Sequence, residues 1–206
     1  MEPNREIYIY GNSGHGKVIA DIALASGYTI AGWIDDGIEN DAADWKTFIQ
    51  THKAGAIALG IGNNHTRSEL SKKITQMGYK LPVLIHPSAI VSPSASIAYG
   101  TVVMPLCVIN ANTVIGEGVI INSGAVIEHD CIIEDYVHIS PNTSLAGNVK
   151  IGKFTHVGIG TSIIQNLVIG ENTIIGAGSA VICNIPDNCT AVGVPSKIIR
   201  SKDAHD

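Results

Sequence analysis

The sequence predicts two consecutive parts, a small α/β unit and then a long parallel β-helix, and two observations support this. From Val91 to Val181 every sixth residue is aliphatic, and a period of six fits neither a helix nor a simple alternating strand. It fits a β-helix, in which each hexad is a short strand plus a corner and the aliphatic side chains stack inside. Ahead of this repeat, short apolar strands alternate with segments of helical spacing, which is typical of a βαβ unit.

The order of elements before the repeat predicts the α/β unit. The expected elements are a strand at 6–10, a glycine-rich turn at 11–16, a helix to Ala25, a strand at 29–34, a weak helix near 44–51, a strand at 56–59, a helix at about 66–77 and a strand at 83–85. We therefore place a first domain at 1–86. The β-helix with a polar C-terminal tail occupies 87–206.

Composition excludes several classes of protein. Hydrophobic residues make up 45% of the 206 residues and aromatic residues only 5%, as expected for a core of stacked isoleucine and valine. No apolar run is long enough to span a membrane, no signal peptide is visible, and a net charge of −5 argues against a general nucleic-acid binder. Cys107 and Cys131 occupy the small first place of their hexads and are expected to be buried packing thiols. Reduced thiols favour a cytoplasmic protein.

The glycine-rich turn predicts an anion site. Its spacing, Gly11, Gly14 and Gly16, differs from the GxGxxG of nicotinamide enzymes. The turn still presents backbone N–H groups at a helix N-terminus, which favours a phosphate. Asp35 and Asp36 follow the second strand, where such folds present acceptors to a sugar or base. We expect a nucleotide-binding domain without a redox role; the alternative is an ordinary tight turn beside a solvated acidic loop.

A histidine next to a carboxylate interrupts the apolar repeat. His129 and Asp130 lie near a corner of the β-helix, where side chains can point outward. A carboxylate beside an imidazole fixes its tautomer and stabilises the imidazolium, so the pair suits a general base; the alternative is a polar surface turn. His138 and His156 should stack on one face, one coil apart. A zinc site from His129, His138 and His156 is a further alternative, but their spacing fits poorly and we predict no metal.

The motifs of the chain resemble those of one family. The segments IYIYGNSGHGKV, DD, GIGNN, LIHPSA, INSGAVIEHDC, SLAGNVKIG and VGVPSK occur in this order over nearly the whole chain. Together they closely resemble the bacterial sugar acetyltransferases of the PglD/NeuD group. The resemblance implies a Rossmann-like first domain and a left-handed β-helix with three hexads per coil. It also implies a homotrimer with active sites between subunits, acetyl-CoA as co-substrate and a nucleotide-sugar as acceptor.

The resemblance also implies roles for individual residues. His129 matches the general base, and Asp130 stands where the best-known relatives have glutamate, so its bond to His129 is expected to be longer or water-mediated. The residues that match the binding positions of the family are Ser13, Gly14, His15, Asp35, Asp36 and Gly62 for the nucleotide-sugar, and His138, Ile159 and Ala177 for acetyl-CoA. Ala177 replaces a glycine of a relative. Lys197 and Arg200 meet the CoA phosphates or belong to an exposed tail.

The implied reaction is N-acetylation of the 4-amino group of a UDP-4-amino-4,6-dideoxy sugar, on the route to UDP-bacillosamine. Transfer is expected to be direct, because no cysteine or serine is placed to act as a covalent nucleophile. Alternatives within enzymes are sialic acid O-acetylation and GDP-perosamine N-acetylation. A β-helix that only binds a nucleotide-sugar is disfavoured by His129 and His138. A sugar-1-phosphate nucleotidyltransferase is disfavoured because the first domain is too short.

Overall fold

The first part of the chain is a three-stranded parallel sheet with helices. A computed structural model describes residues 5–37, 42–52 and 54–201. Its first elements are β1 (Glu6–Tyr10), α1 (Gly14–Ala25), β2 (Thr29–Ile34), α2 (Trp45–Thr51), β3 (Ala56–Leu59) and α3 (Asn64–Gln76). The strand order is β2-β1-β3, and both pairs are parallel. The carboxyl ends of the strands therefore meet at one edge of the sheet, where α1 and α3 begin.

The second part is a parallel β-helix of two-residue strands. These strands, β4 to β20, are Leu84–Ile85, Ile90–Val91, Ser96–Ile97, Val102–Val103, Val108–Ile109, Val114–Ile115, Ile120–Ile121, Val126–Ile127, Ile132–Ile133, His138–Ile139, Ser144–Leu145, Lys150–Ile151, His156–Val157, Ser162–Ile163, Val168–Ile169, Ile174–Ile175 and Ala180–Val181. Each pairs with the strand three places along the chain, which gives three sheets. The sheets form the faces of a triangular prism of about six coils.

We number the faces by their first strand. Face 1 contains β4, β7, β10, β13, β16 and β19; face 2 contains β5, β8, β11, β14, β17 and β20; face 3 contains β6, β9, β12, β15 and β18. The corners between consecutive strands stack into three edges. Edge 1–2 follows the strands of face 1, edge 2–3 follows those of face 2, and edge 3–1 follows those of face 3. Edge 2–3 therefore lies opposite face 1.

The period of six is confirmed as the origin of the core. From Val103 to Val181 the aliphatic residue of every hexad is at most 2% exposed. Val91 and Ile97 are only partly buried and pack against the same core, because the first coil is covered on one side only. Buried threonines at the first place of several hexads are satisfied; Thr155, for example, donates its hydroxyl to the carbonyl of Gly170 at 2.6 Å.

The sixth place of each hexad closes the corner in a left-handed backbone conformation. Every sixth residue from Gly100 to Gly178 has φ between 52° and 70°. Glycine and asparagine adopt this conformation most readily, and they fill most of these positions. The exceptions are Leu106, Asp130, Tyr136 and Phe154. Residues that are kept in unfavourable backbone conformations often serve a function. Three of these four, Asp130, Tyr136 and Phe154, appear again in the contacts described below.

Two parts of the prediction need correction. The strand at 83–85 was expected to complete the α/β unit, but Leu84 pairs with Val102 and so begins face 1. A two-residue apolar strand carries no sign of which sheet it joins. The C-terminal segment was expected to be a polar tail. It instead forms an antiparallel hairpin of β21 (Cys189–Val192) and β22 (Lys197–Ser201) that extends face 1.

Helix α3 fastens the α/β unit to edge 3–1 of the prism. The Arg67 side chain is 1% exposed. Its guanidinium donates to six oxygens, which belong to Ile61, Gly62, Asn64, Gly118, Tyr136 and Val137. None of these oxygens is a carboxylate, and burial lowers the pKa of Arg67 to about 10. The buried cation therefore satisfies carbonyls of both parts of the chain at once.

In the part of the chain described, no helix is long and apolar enough to cross a membrane.

Candidate active site

Edge 2–3 carries an exposed imidazole–carboxylate pair. The Asp130 Oδ2 atom accepts a hydrogen bond from His129 Nδ1 at 2.8 Å, and both side chains are more than half exposed. The bond is direct, although the shorter aspartate was expected to give a longer or water-mediated one. Because a carboxylate only accepts, Nδ1 carries the proton of the neutral ring, and Nε2 of that tautomer has the free lone pair. The His129 bond is the largest cause that lowers the pKa of Asp130, so the carboxyl is ionised at neutral pH.

The imidazole of His129 lies over the bare backbone of Gly147, one coil further along the same edge. A Cβ on Gly147 would be 2.6 Å from Cε1 and 2.7 Å from Nε2 of the ring. Any side chain at this position would have to displace the imidazole. Gly147 is therefore required because the imidazole of His129 occupies the space of a side chain, and not because of its own backbone conformation.

The residues matched to acetyl-CoA binding lie together, on face 1 and edge 1–2. His138 is on β13, and Ile159 and Ala177 occupy the corners that follow β16 and β19. Ile159 is 52% exposed and Ala177 is exposed, so an extended ligand has access to both. The His138 and His156 side chains stack as predicted, with ring centroids 4.7 Å apart and an interplanar angle of 9°.

The environment of His138 keeps its ring neutral. Burial lowers the pKa of His138 to about 3, and the neighbouring His156, Arg67 and His15 contribute in the same direction. Asn122 Oδ1 accepts from the Ser123 N–H at 2.8 Å, which turns Asn122 Nδ2 toward His138 Nε2 at 3.1 Å. Nε2 therefore accepts, and the proton of the neutral ring is on Nδ1.

This lowered pKa predicts a loss of stability in mild acid. Between about pH 3 and pH 6.5 the unfolded chain binds more protons at His138 than the folded chain, so stability rises with pH across this window. From pH 7 to pH 5 we expect His138 to account for a loss of about 2 kcal/mol in the free energy of unfolding. Thermal unfolding at the two pH values measures it. A His138→Gln variant should lose less stability than wild type, and an equal loss in both proteins would contradict the prediction.

The N-terminus of α1 faces open space. Three glycines pack backbone against backbone behind it: a Cβ on Gly16 would lie 1.8 Å from the Gly11 oxygen, and one on Gly60 would lie 2.5 Å from the Gly16 Cα. A Cβ on Gly14, by contrast, would meet nothing within 4 Å. The N-cap Ser13 makes no side-chain capping bond, so its hydroxyl and the first N–H groups of the helix are available to a ligand.

His15 links this helix terminus to face 1. Its Nε2 atom is buried and makes no hydrogen bond within the described residues. Burial is the first cause that lowers the pKa of His15, and Arg67 is the second. Since the charge of His15 would also act on His138, the structure brings the predicted nucleotide-sugar and acetyl-CoA residues into one neighbourhood.

The two aspartates after β2 are partly engaged in holding the fold. Asp35 accepts from the N–H groups of Asn12 at 2.6 Å and Gly37 at 2.9 Å. Asp36 accepts from the Tyr10 hydroxyl at 2.7 Å and the Trp45 N–H at 2.9 Å. Burial opposes the ionisation of Asp36, but these two bonds and nearby Lys73 lower its pKa. Contact of either carboxylate with a nucleoside stays a prediction.

Gly62 lies across from face 1. It is exposed and lines a cleft of about 180 Å³ between the β3–α3 loop and the prism, together with His156 and Phe154. A Cβ on Gly62 would meet nothing within 4 Å. The position is therefore accessible, and contact of Gly62 with a nucleotide-sugar stays a prediction.

The predicted pair of His129 and Asp130 lies apart from the rest. His129 is on edge 2–3, while His138 is on face 1 and Ile159 and Ala177 are on edge 1–2. Edge 2–3 is opposite face 1, so within a single chain the prism separates His129 from His138. Within one chain, the same separation keeps His129 from sharing a metal ion with His138 and His156. Within the described ranges no group of three or more His, Cys, Asp or Glu residues could hold a metal ion.

Comparison with known proteins identifies the family. Residues 6–74 match the PglD N-terminal domain, and residues 112–147 match the bacterial transferase hexapeptide family of six repeats. The acetyltransferase domain of PglB from Neisseria gonorrhoeae, solved with acetyl coenzyme A, is 38% identical, with a TM-score of 0.89 over 96% of this chain and 100% of that one. The chain belongs to the PglD-type sugar acetyltransferases.

Other members of the family are similar over different lengths. A perosamine N-acetyltransferase from Caulobacter crescentus, solved with CoA and GDP-perosamine, is 34% identical, with a TM-score of 0.92 over 98% of this chain and 99% of that one. The UDP-N-acetylbacillosamine N-acetyltransferase of Bacillus subtilis is 41% identical over 111 residues, which are 48% of this chain and 51% of that protein. The match thus spans about half of that curated relative. These matches agree with the predicted Rossmann-like domain followed by a left-handed β-helix.

Sequence reasoning missed several residues of the site. Asn122, whose amide contacts His138, lies within the repeat, and the hexad pattern does not distinguish it. Arg67 lies in the helix predicted at about 66–77, and nothing in its local sequence shows that it is buried. Gly147 could have been found, since it occupies the same hexad place as His129 one coil later, where any larger residue would meet the ring.

Proposed function

We propose that this protein transfers the acetyl group of acetyl-CoA to the 4-amino group of a UDP-4-amino-4,6-dideoxy sugar. The observation that carries the proposal is the exposed His129–Asp130 pair with a free Nε2. This pair lies on the β-helix of a chain that is similar over almost its whole length to acetyltransferases solved with CoA and an amino-sugar nucleotide.

His129 acts as the general base in this scheme. The amine nitrogen attacks the thioester carbonyl and forms the C–N bond, while its proton moves to His129 Nε2. The tetrahedral intermediate, stabilised by backbone N–H groups, breaks the C–S bond, and the proton passes from His129 to the CoA sulfur. Asp130 holds Nδ1–H and stabilises the imidazolium between these steps. The products are the N-acetylated sugar and CoA with a free thiol.

His138 binds acetyl-CoA as a neutral donor. Its ring carries the proton on Nδ1, since Asn122 donates to Nε2. A neutral N–H donor suits a carbonyl oxygen of the acetyl-CoA chain and cannot protonate the attacking amine. Ile159 and Ala177 extend the same edge and border the pantetheine.

The N-terminus of α1 binds the diphosphate of the nucleotide-sugar. Ser13 is uncapped there, the space in front of Gly14 is open, and the buried Nε2 of His15 makes no hydrogen bond within the described residues. Helix N-termini favour anions through their free N–H groups and dipole. Asp35, Asp36 and Gly62 surround the nucleoside.

The complete site needs more than one copy of the chain, and we propose a homotrimer. In one chain His129 lies on edge 2–3, opposite the face that carries His138. In a ring of three prisms, edge 2–3 of one copy meets edge 1–2 of the next. Each of the three interfaces then brings the base of one copy to the acetyl-CoA residues of its neighbour.

We place the enzyme in the cytoplasm. Its four cysteines are free, as is usual for a protein of a reducing compartment.

The acceptor is tested by thiol release from acetyl-CoA. We expect the fastest release with UDP-4-amino-4,6-dideoxy-N-acetylglucosamine and a sequential steady-state pattern. The second candidate is GDP-perosamine, which is favoured by the similarity to the Caulobacter crescentus enzyme. Release only with GDP-perosamine or sialic acid would keep the chemistry and change the substrate. Silence with all three acceptors would favour a protein that binds without turnover, and a ping-pong pattern would contradict direct transfer.

A further inference from the structure

A ladder of polar side chains runs along edge 2–3, the edge that carries His129. Its members occupy the sixth place of every third hexad, one per coil, and they are Ser94, Asn112, Asp130, Asn148 and Asn166. The Asn112 N–H donates to Ser94 Oγ at 3.0 Å. Asn112 Nδ2 donates to Asp130 Oδ1 at 3.2 Å, and Asn148 Nδ2 donates to Asn166 Oδ1 at 2.9 Å. The side-chain amides of Asn112 and Asn148 thus donate in the same direction, toward the C-terminal end of the prism.

Asp130 interrupts the ladder, because it cannot donate a hydrogen bond to the next member. An asparagine at this place would accept from Asn112 and donate toward Asn148. An ionised carboxylate has no proton to donate, and the described residues show no bond from Asp130 to Asn148. Its first oxygen accepts from Asn112 and its second accepts from His129 Nδ1 at 2.8 Å. The interruption of the ladder frees one oxygen for the imidazole.

We propose that Asn112 is a positioning residue for His129 and acts through Asp130. The rotation of a carboxylate about its last bond is soft, and Asp130 is about half exposed, so water competes for both of its oxygens. The amide of Asn112 fixes Oδ1 and thereby turns Oδ2 toward the imidazole. The coil that carries Asn112 also holds the backbone of Asp130, since the Asp130 N–H donates to the Ala111 oxygen at 2.9 Å.

The consequence for catalysis is a fixed tautomer. With Oδ2 held against Nδ1–H, the lone pair of His129 stays on Nε2, the nitrogen that receives the proton in the proposed reaction. The Asn112 bond follows the His129 bond among the causes that lower the pKa of Asp130, which agrees with an ionised acceptor. This inference rests on the proposed function, because it assumes that His129 is the base.

The test replaces asparagine with glycine, which keeps the left-handed backbone and removes the amide. Asn112→Gly is expected to lower kcat about fivefold to tenfold, the loss of one partly exposed hydrogen bond to a charged group. The KM values for both substrates should stay within about twofold. Asn166→Gly is the matched control. It has φ 61° against 59° for Asn112 and also loses one ladder bond, but it does not touch Asp130, and its kcat should equal that of wild type.

A double-mutant cycle separates positioning from a general structural role. If Asn112 acts only through Asp130, then Asn112→Gly has no further effect on kcat in an Asp130→Ala background. The inference is overturned if Asn112→Gly costs the same factor in both backgrounds, if Asn166→Gly is equally slow, or if Asn112→Gly equals wild type. An inactive wild type would instead overturn the proposed function, so the two failures are distinguishable.

Discussion

Replacement of His129 with alanine is expected to lower kcat for acetyl transfer by about 10²-fold or more. The variant loses the only group of the Asp130 pair that can take the proton of the attacking amine. Because the His129 side chain is 60% exposed and lies over the backbone of Gly147, the thermal unfolding temperature should change little. Thiol release from acetyl-CoA, followed with saturating acceptor, measures the effect.

The matched control for this variant is Gln165→Ala. Gln165 is exposed and occupies the same hexad place on the same edge, two coils further along. It should keep the activity of wild type. If His129→Ala also keeps that activity, His129 is not the base.

The same variant tests whether the site is shared between copies. Co-assembly of His129→Ala with His138→Ala chains should restore activity, because some interfaces then combine an intact His129 from one copy with an intact His138 from the other. Random assembly predicts that about one site in four is intact. No recovery on mixing would place both residues in the site of one chain, against the geometry of the prism.

Replacement of Arg67 with alanine is expected to have the largest effect on stability. The change removes a guanidinium that donates to six oxygens and leaves buried carbonyls of both parts of the chain without a donor. The variant also avoids the desolvation cost of burying the charge of Arg67, which partly offsets this loss. We expect a net loss of about 3 kcal/mol in the free energy of unfolding. At 2–4 °C per kcal/mol for a chain of this size, the unfolding temperature should fall by roughly 6–12 °C.

The control is Lys72→Ala, which removes an exposed cation from the same helix. It should change stability by no more than about 0.5 kcal/mol. Arg67→Lys should not restore the wild-type free energy of unfolding. Its ammonium group has three donors and cannot reach all of the oxygens that the planar guanidinium bonds. Equal stability of Arg67→Ala and wild type would mean that water replaces the guanidinium and that this contact does not hold the two parts together.

The prediction from sequence was most successful where one physical rule repeats. An aliphatic residue at every sixth place can be buried by stacking coils, so the β-helix followed from the positions of residues such as Ile109 and Ile163. The same rule placed His138 above His156, because residues 18 apart occupy equivalent places of neighbouring coils. It also placed His129 and Asp130 at a corner with their side chains exposed.

Prediction failed where the partner of a segment is distant in the chain. Nothing in Leu84–Ile85 indicates that it joins face 1 rather than the sheet of the α/β unit. The sequence predicted a polar tail that includes Lys197–Ser201. The segment forms a strand because Cys189–Val192 offers it an edge.

By itself the sequence determined the repeat, the order of the α/β elements and the residue types at each corner, since these depend on the spacing of side chains along the chain. The tertiary structure alone decided which of these residues meet. It put Arg67 under the carbonyls of Gly118 and Tyr136, and it joined Asn112 to the carboxylate that holds His129. It also set His129 on the edge opposite His138. The physical reason is that burial, hydrogen-bond direction and the face of a prism are properties of pairs of segments, and a linear pattern records only one segment at a time.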